Sequence, residues 1–163
     1  MREKFIPDLF LDSVYDMDLA ALRSRGIRAF LFDIDNTLAT YDDPVAPPEL
    51  KAWFLEVRQA GFLSYIVSNN HEARVKCFAA SLDVPYYAKA LKPRRRFLLL
   101  ACRNMAVPPT ACALVGDQLL TDIYGGNRLG MYTVFVKAIS DKEHWFVHLK
   151  RRIERQLLKG RKV

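Results

Sequence analysis

Residues 29–38 read AFLFDIDNTL, an apolar run that ends in two carboxylates, Asp33 and Asp35, with one residue between them. A compact apolar run of this kind predicts a β-strand buried on both faces, as in a parallel sheet. Paired negative charge at the end of such a strand has three explanations: a calcium loop, a helix cap or a phosphoryl-transfer site. The rest of the chain discriminates between them.

Strand-like and helix-like segments alternate along the middle of the chain. Apolar runs predict five strands, at 29–33, 63–67, 86–88, 111–115 and 132–136. Helices are expected between them, at 47–60, 72–81, 93–105 and 119–129. This alternation is typical of βαβ units with right-handed crossovers, so we expect an α/β fold, a three-layer doubly wound (Rossmann-like) parallel sheet of about five strands. Residues 1–28 are expected to form a short helix or two on the sheet's edge.

Polar residues follow the predicted strands at the positions where open parallel sheets bind ligands. They are Asp33, Asp35 and Thr37 after the first strand, Ser68 and Asn69 after the second, Lys92 past the third, and Gly116, Asp117 and Asp122 after the fourth. Because the carboxyl ends of parallel strands share one edge of the sheet, we expect these residues to meet there.

Three carboxylates at one edge repel one another and have raised pKa values unless a cation lies among them. A hard cation with oxygen ligands that keeps part of its hydration is typical of Mg²⁺. Lys92 and Ser68 then offer a positive charge and a hydroxyl group to phosphate oxygens. One carboxylate can attack phosphorus and form an aspartyl-phosphate, while a second carboxyl moves the proton.

The other two explanations of the paired aspartates fail. A calcium loop that begins at Asp33 needs glycine at its sixth position and glutamate at its twelfth, where this chain has Leu38 and Pro44. A helix cap at Asp35 is disfavoured because the prolines of the following loop delay the next helix.

The four elements together resemble the haloacid dehalogenase (HAD) superfamily: DxDxT, a serine after the second strand, a lysine, and GDxxxTD, across about residues 25 to 140. More narrowly, FDIDNTL, VSNN, KP and GDQLLTDIYGGNRLG are similar to the YqeG-type phosphatases, a subclass IIIA group. Eukaryotic relatives of that group dephosphorylate phosphatidylglycerophosphate. The resemblance therefore implies a Mg²⁺-dependent phosphatase.

The resemblance also implies roles for the residues of the first motif. Asp33 would be the nucleophile and a Mg²⁺ ligand. Asp35 would be the general acid and base, with its backbone carbonyl on the metal. Thr37 would help to order the loop, and Gly116 would support the last motif.

The remaining motif residues receive roles in the same way. Ser68, together with Asn69, would hold phosphate oxygens, and Lys92 would bridge the phosphate and the nucleophile. Asp117 would ligate Mg²⁺. Asp122 would support the Mg²⁺ site by holding its ligands in place or by contacting the ion through a water molecule.

The gaps between the motifs are too short for a cap domain. Only residues 38–46 separate Thr37 from the next predicted helix, and residues 69–91 separate Ser68 from Lys92. An open site suits a phosphorylated substrate that brings its own bulk, such as a membrane surface, a protein or a nucleic acid. Phosphatidylglycerophosphate is the leading hypothesis; the alternatives are a protein, a nucleic-acid end or a small phosphoester. A basic RNA- or ribosome-binding protein with a vestigial HAD site is disfavoured because the motifs are complete.

The net charge of +7 is concentrated at the C-terminal end. Residues 142–163 hold eight Lys or Arg against two Glu, a net +6. A basic amphipathic helix is predicted over 141–163, with its apolar stripe formed by Phe146, Leu149, Ile153 and Leu157. Such a helix fits an anionic membrane surface or packing against the core, and nucleic acid less well.

The length of 163 residues predicts a single domain. We divide it into an N-terminal edge segment (1–28), a catalytic core (29–140) and the basic C-terminal helix (141–163). No signal peptide or membrane-spanning run is expected. Cys77, Cys102 and Cys112 fall in apolar patterns and are expected to be reduced core residues. These features predict a cytoplasmic protein, with a peripheral position at the inner membrane surface as a further expectation and the oligomeric state left open.

Overall fold

The computed structural model describes residues 2–140, and the helix predicted at 141–163 lies outside them. Six strands form one sheet: β1 (Leu9–Leu11), β2 (Ala29–Phe32), β3 (Leu63–Val67), β4 (Tyr86–Tyr87), β5 (Cys112–Gly116) and β6 (Tyr132–Val136). Every neighbouring pair is parallel, in the order β1-β6-β5-β2-β3-β4. The α/β doubly wound parallel sheet is therefore confirmed.

Five α-helices connect the strands: α1 (Leu19–Ser24), α2 (Pro48–Gln59), α3 (Glu72–Leu82), α4 (Arg96–Asn104) and α5 (Tyr124–Asn127). Single 3₁₀ turns occur at Arg2–Phe5, Val14–Asp16 and Pro109–Ala111, and a π turn at Leu119–Ile123 precedes α5. Helix α2 shows why these segments are helical: proline occupies its first turn, where no backbone N–H is needed. Its buried residues recur at helical spacing and turn one face to the sheet: Leu50, Trp53, Phe54 and Val57.

Strand β2 is fully buried because helices cover both faces of the sheet. Phe30 and Phe32 point into one hydrophobic core, which includes side chains of α2 and α3. Ala29 and Leu31 point into the opposite core, which is built with side chains of α4. The alternation of the strand thus supplies two cores from one four-residue run, and the result is the predicted three-layer arrangement. Between the strands of the described chain, no additional domain is inserted.

The order of the strands places β2 beside β5 at the centre of the sheet. From β2 the chain winds outward through β3 to β4, then returns to β5 on the other side of β2 and winds outward again. Such a reversal opens a crevice at the carboxyl ends of the two central strands. Asp33 follows β2 and Asp117 follows β5, so both stand at this crevice.

The N-terminal segment differs from its prediction, because residues 9–11 add a sixth strand where only helices were expected. Leu9 pairs with Val134 at the edge of the sheet, and all three residues of β1 are half-buried. A three-residue apolar run carries too little periodicity to be distinguished from helix. Helix α1 supplies the helical part that was predicted.

Two helix boundaries and one cysteine also differ from the predictions. Helix α4 begins only at Arg96, because a turn closed by a hydrogen bond from Arg94 N–H to the Leu91 carbonyl precedes it. The last predicted helix is split into the π turn and α5, which contains two weak helix formers, Gly125 and Gly126. Cys102 and Cys112 are buried thiols, as predicted, but Cys77 is exposed because it lies on the solvent face of α3.

None of the helices within residues 2–140 has the length and apolarity that crossing a lipid bilayer requires.

Candidate active site

A cavity of about 270 Å³ lies at the carboxyl edge of the sheet, above the crevice between β2 and β5. Five of the residues that line it were predicted: Asp33, Asp35, Ser68, Asn69 and Lys92. Asn70 adjoins them in the VSNN motif, and three others were not predicted: Tyr41, Gln118 and Thr121. The fold thus brings together residues that follow four different strands.

Lys92 is the centre of a buried ionic cluster. Its Nζ donates to Asp33 Oδ1 at 2.9 Å and to Asp122 Oδ1 at 2.7 Å. The Lys92 side chain is only 2% exposed. Burial by itself would lower the pKa of Lys92, but Asp122 and Asp33 raise that pKa above its usual range. Lys92 therefore stays charged, and its charge is aimed at Asp33.

Asp33, Asp117 and Asp122 each bring one carboxylate oxygen within 4.8 Å of the others. Burial raises the pKa of Asp33 to about 6 against the opposing effect of Lys92, and the charges of Asp122 and Asp35 add to the rise. Burial likewise raises the pKa of Asp117 to about 7, with a further contribution from Asp122 and Asp33. The cluster is thus electrostatically unfavourable when all its carboxylates are ionised.

A divalent cation fits this donor set. Three ionised carboxylates and one ammonium leave a net charge of −2, and the oxygen ligands are those that Mg²⁺ prefers. Both Asp122 oxygens already accept hydrogen bonds, from Lys92 Nζ and from Gln118 N–H. Asp33 and Asp117 are therefore better placed to ligate an ion directly, with Asp122 behind them. Thr37 Oγ1 donates to Asp117 Oδ1 at 3.3 Å and so orients that carboxylate.

The carboxylate of Asp35 occupies different surroundings from that of Asp33. Asn70 Nδ2 donates to Asp35 Oδ2 at 2.8 Å, and Arg74 Nη2 donates to Asp35 Oδ1 at 3.2 Å. The Arg74–Asp35 ion pair is buried, with each side chain 9% exposed. Arg74 was not predicted, and Asn70 was expected at this edge of the sheet but not as a partner of Asp35. Arg74 lies in α3 among other polar residues, so nothing in the sequence distinguishes it.

Arg74 also fixes the loop that follows the first motif. Its guanidinium donates to the backbone carbonyl of Thr40 at 2.9 Å and to that of Asp43. This loop carries Tyr41, which lines the cavity. One side chain therefore positions both a carboxylate of the site and part of its wall.

Asn69 and Ser68 shape the site mainly through the backbone. The Asn69 amide accepts from Lys92 N–H at 2.7 Å and donates to the Lys92 carbonyl at 3.1 Å, so it fixes the backbone from which Lys92 extends. Ser68 is buried, and its Oγ accepts from Asn70 N–H at 3.1 Å. A role of either side chain in binding phosphate stays a prediction.

Comparison with known proteins gives three similarities of sequence. A family model described as HAD-hydrolase-like matches residues 90–153. The probable phosphatase YqeG of Bacillus subtilis (strain 168) is 37% identical over 162 residues, which are 99% of this chain and 94% of that protein. The chloroplastic phosphatidylglycerophosphate phosphatase 1 of Chlamydomonas reinhardtii is 30% identical over 91% of this chain, and the match spans 59% of that protein's length.

The fold is shared with solved structures of low sequence identity. A HAD family enzyme from Bacteroides thetaiotaomicron, solved as a magnesium complex, superposes with a TM-score of 0.57. It is 14% identical, and the match covers 74% of this chain and 98% of that one.

The close approach of Gly116 to Asp122 generates a first prediction. A Cβ at position 116 would lie 2.2 Å from Asp122 Oδ2, so the carboxylate would have to move and its bond from Gln118 N–H would break. We expect Gly116→Ala to lower the free energy of unfolding in urea by about 2 kcal/mol. Gly125→Ala is the matched control, because its Cβ would meet nothing closer than 3.5 Å. Equal stability of both variants would contradict the proposed crowding.

The raised pKa values generate a second prediction, for protein kept free of metal with EDTA. A carboxyl whose pKa is higher in the folded than in the unfolded state binds its proton more tightly when folded, so its contribution to stability is lost as pH rises. As the pH rises from about 4 to about 7, the ionisation of Asp33 and Asp117 should therefore lower the free energy of unfolding. Asp117→Asn removes one of these groups, so its melting temperature should exceed that of the wild type by roughly 3 °C at pH 8.

The difference between the two melting temperatures should shrink as the pH falls and close below the unfolded-state pKa of about 4, where Asp117 is protonated in both the folded and the unfolded protein. Added Mg²⁺ should raise the melting temperature of the wild type at pH 8 and that of Asp117→Asn less. A difference that does not change with pH would show that Asp117 does not carry the strain.

Proposed function

The chain belongs to the YqeG-type group of HAD phosphatases, and on that premise we propose that it hydrolyses phosphomonoesters through an aspartyl-phosphate on Asp33. The observation that carries the proposal is the buried Lys92 ammonium, 2.9 Å from Asp33 Oδ1. A permanent positive charge beside a carboxylate at a cavity floor attracts a phosphate dianion and orients the nucleophile. A carboxylate in that position can form a covalent intermediate.

The first step would transfer the phosphoryl group. An Asp33 oxygen attacks phosphorus, and the bond from phosphorus to the leaving oxygen breaks. Asp35 donates a proton to that oxygen through Oδ2, which can carry a proton and still accept from Asn70. Lys92 stays hydrogen-bonded to Asp33 and offsets charge on the phosphoryl group. Mg²⁺, held by Asp33, Asp117 and the Asp35 backbone carbonyl, would supply further charge neutralisation when bound.

The second step would release phosphate. Asp35, now ionised, takes a proton from a water molecule, whose oxygen attacks phosphorus. The bond between phosphorus and Asp33 breaks, and the Asp33 carboxylate is regenerated. Ser68, buried at the cavity wall, and Asn69 would hold phosphate oxygens during both steps, and Asp122 would keep Lys92 in place.

We propose phosphatidylglycerophosphate as the substrate, and two observations support this choice. One relative, 30% identical, is named for that activity, although the chain spans only 59% of its length. The cavity also stands open among the described residues, since no inserted domain covers it, and about 270 Å³ suffices for a phosphate headgroup but not for acyl chains. A protein, a nucleic-acid end or a small phosphoester is the alternative substrate. This substrate agrees with a cytoplasmic enzyme that works at the inner membrane surface, which we propose as its location.

A vestigial site in an RNA- or ribosome-binding protein is the alternative of another class. Against it stands the complete ionic cluster, since a buried lysine and several buried carboxylates cost folding stability, and a protein that made no use of them would gain stability by losing them. The function proposed here makes use of each member of the cluster.

Our third prediction tests the nucleophile. Purified protein with Mg²⁺ is given phosphatidylglycerophosphate in mixed micelles, a phosphopeptide, a 5′-phosphorylated oligonucleotide and p-nitrophenyl phosphate, and released phosphate is measured. Asp33→Asn should lower kcat at least about 10⁴-fold, as loss of a covalent nucleophile does. Asp42→Asn, a change in an exposed loop acid, should be neutral. Acid quench with ³²P-labelled substrate should leave a hydroxylamine-labile label on the wild type and none on Asp33→Asn.

The panel also separates the proposals from one another. Release from other phosphoesters but not from the lipid would overturn the substrate alone. No release from any of the four, or equal release by Asp33→Asn, would leave the vestigial site as the better explanation.

Our fourth prediction tests the positioning of Asp35 by Arg74. Arg74→Met should lower kcat about 100-fold for an alkyl phosphate such as glycerol phosphate, whose leaving oxygen needs a proton. The loss for p-nitrophenyl phosphate should be much smaller, because its leaving group departs without one. Arg74→Lys keeps the charge and should restore part of the activity on the alkyl ester. Equal losses on both substrates would mean that Arg74 acts on the fold alone.

A further inference from the structure

The mouth of the active-site cavity is bordered by exposed apolar and basic side chains that the chemistry does not use. Three are apolar and largely exposed: Tyr41 at 60%, Leu91 at 56% and Leu120 at 69%. Three are exposed and basic: Lys89, Arg94 and Arg95. We call these six residues the site rim, and we propose that the site rim docks the active site onto an anionic phospholipid bilayer. This inference rests on the proposed lipid phosphatase function.

The position of the site rim follows from the hydrogen bonds of its loops. Residues 88–95 form the loop that carries Lys92, and backbone bonds tie this loop to the end of β3: Lys89 N–H donates to the Asn70 carbonyl, and Ala90 N–H to that of Ser68. Tyr41 lines the cavity itself, and Leu120 lies between Gln118 and Thr121, which both line it. The site rim therefore lies on two loops and the π turn that also carry residues lining the cavity.

Packing does not account for Leu91. It has a positive φ of 54°, a conformation that is uncommon for a bulky residue, and more than half of its surface faces solvent. Lys89 has a positive φ of 47° in the same loop. The loop thus holds an apolar side chain outward at a conformational cost, next to the lysine of the site. A partner that buries Leu91 together with Leu120 and Tyr41 would offset that cost.

The charges of the site rim identify the kind of partner. Within residues 88–95 the charged side chains are all basic, and the exposed acid Asp42 is the neighbour of Tyr41 in the chain. Arg96 follows on α4, where its guanidinium stacks on the Phe97 ring. Basic groups interspersed with exposed apolar tips are the combination that binds anionic lipid, with each basic residue near the surface contributing independently. An anionic lipid bilayer fits both features, because its headgroups attract the basic side chains and its interior takes up the apolar ones.

Geometry adds a constraint on how a lipid substrate reaches Asp33. Its acyl chains stay in the bilayer, so the phosphate can enter the cavity only if the mouth faces the membrane. The site rim lies on the segments that carry the cavity-lining residues Tyr41, Lys92, Gln118 and Thr121. Docking through it would present the headgroup to Lys92 without removing the lipid from the bilayer.

The experiment, our fifth prediction, measures binding and activity separately. Binding of full-length protein to vesicles of phosphatidylcholine with 30% phosphatidylglycerol, about the composition of an anionic membrane, is measured by co-sedimentation. Arg94→Glu/Arg95→Glu should weaken binding at least tenfold, because each arginine near the surface contributes roughly tenfold or less by itself. Leu91→Asn and Leu120→Ser should each weaken it several-fold. Asparagine tolerates a positive φ, and glutamate is favourable before a helix, so these variants should fold.

The matched controls lie at the opposite edge of the sheet. Arg28→Glu/Arg103→Glu reverses two exposed arginines there, and Leu63→Ser removes an exposed leucine at the start of β3. Both should bind vesicles like the wild type. The site-rim variants should hydrolyse p-nitrophenyl phosphate at the wild-type rate but lose at least tenfold in rate on phosphatidylglycerophosphate within vesicles.

Each other outcome has its own meaning. Equal weakening by rim and control variants would overturn the proposal, since net charge alone would then explain binding. Loss of binding only in Arg151→Glu/Arg152→Glu, outside the described residues, would also overturn it and assign docking to the C-terminal segment. Weaker binding of RNA but unchanged vesicle binding by the rim variants would make nucleic acid the partner. If the rim variants bind vesicles weakly but the wild type hydrolyses no lipid, docking stands and the lipid substrate falls.

Discussion

The site depends on one interaction, the Lys92 ammonium held between Asp33 and Asp122 inside the protein. A buried charge is tolerated only when its partners are close and correctly oriented, so much of the surrounding structure serves that geometry. The Asn69 side-chain amide fixes the Lys92 backbone, because it accepts from the Lys92 N–H and donates to the Lys92 carbonyl. Gly116 leaves room for Asp122, which could not approach β5 if residue 116 had a Cβ. The irregular loop that follows β4 also serves this geometry, because it directs the Lys92 side chain into the crevice.

The sequence was informative where chemistry and periodicity coincide. An apolar run followed by Asp33 placed β2, and the remaining motif residues placed the ends of β3 and β5, because each is a polar residue that directly follows a buried strand. The same features predicted one functional edge of the sheet, since the carboxyl ends of parallel strands share an edge; the order of the strands, and with it the crevice between β2 and β5, came only from the structure. Leu9–Leu11 was missed because a three-residue edge strand has almost no pattern, and Cys77 was misjudged because an apolar neighbourhood does not reveal which face of a helix a residue takes.

Arg74 was missed for a different reason. It contacts Asp35 and the carbonyls of Thr40 and Asp43, and these partners are 31 to 39 positions away in the chain. An arginine on an amphipathic helix gives no sign of such contacts, because a solvated arginine and a buried one look alike in sequence. Residues that bind a reacting group are therefore easier to predict than residues that position it. The former are restricted by chemistry, whereas the latter are restricted only by the geometry of the folded chain.

Asp33 and Asp35 show how that geometry gives two identical side chains different surroundings, which fit the two roles we propose for them. Asp33 lies among carboxylates with the Lys92 ammonium beside it, and a cation that completed the cluster would stabilise its charge further. Asp35, two residues on, turns away from that cluster to a guanidinium and an amide, which occupy its oxygens separately. A nucleophile needs a charge that is held near phosphorus, and a proton carrier needs one oxygen fixed while the other exchanges. The surroundings of Asp33 fit the first requirement and those of Asp35 the second, which supports the proposed assignment of nucleophile and proton carrier.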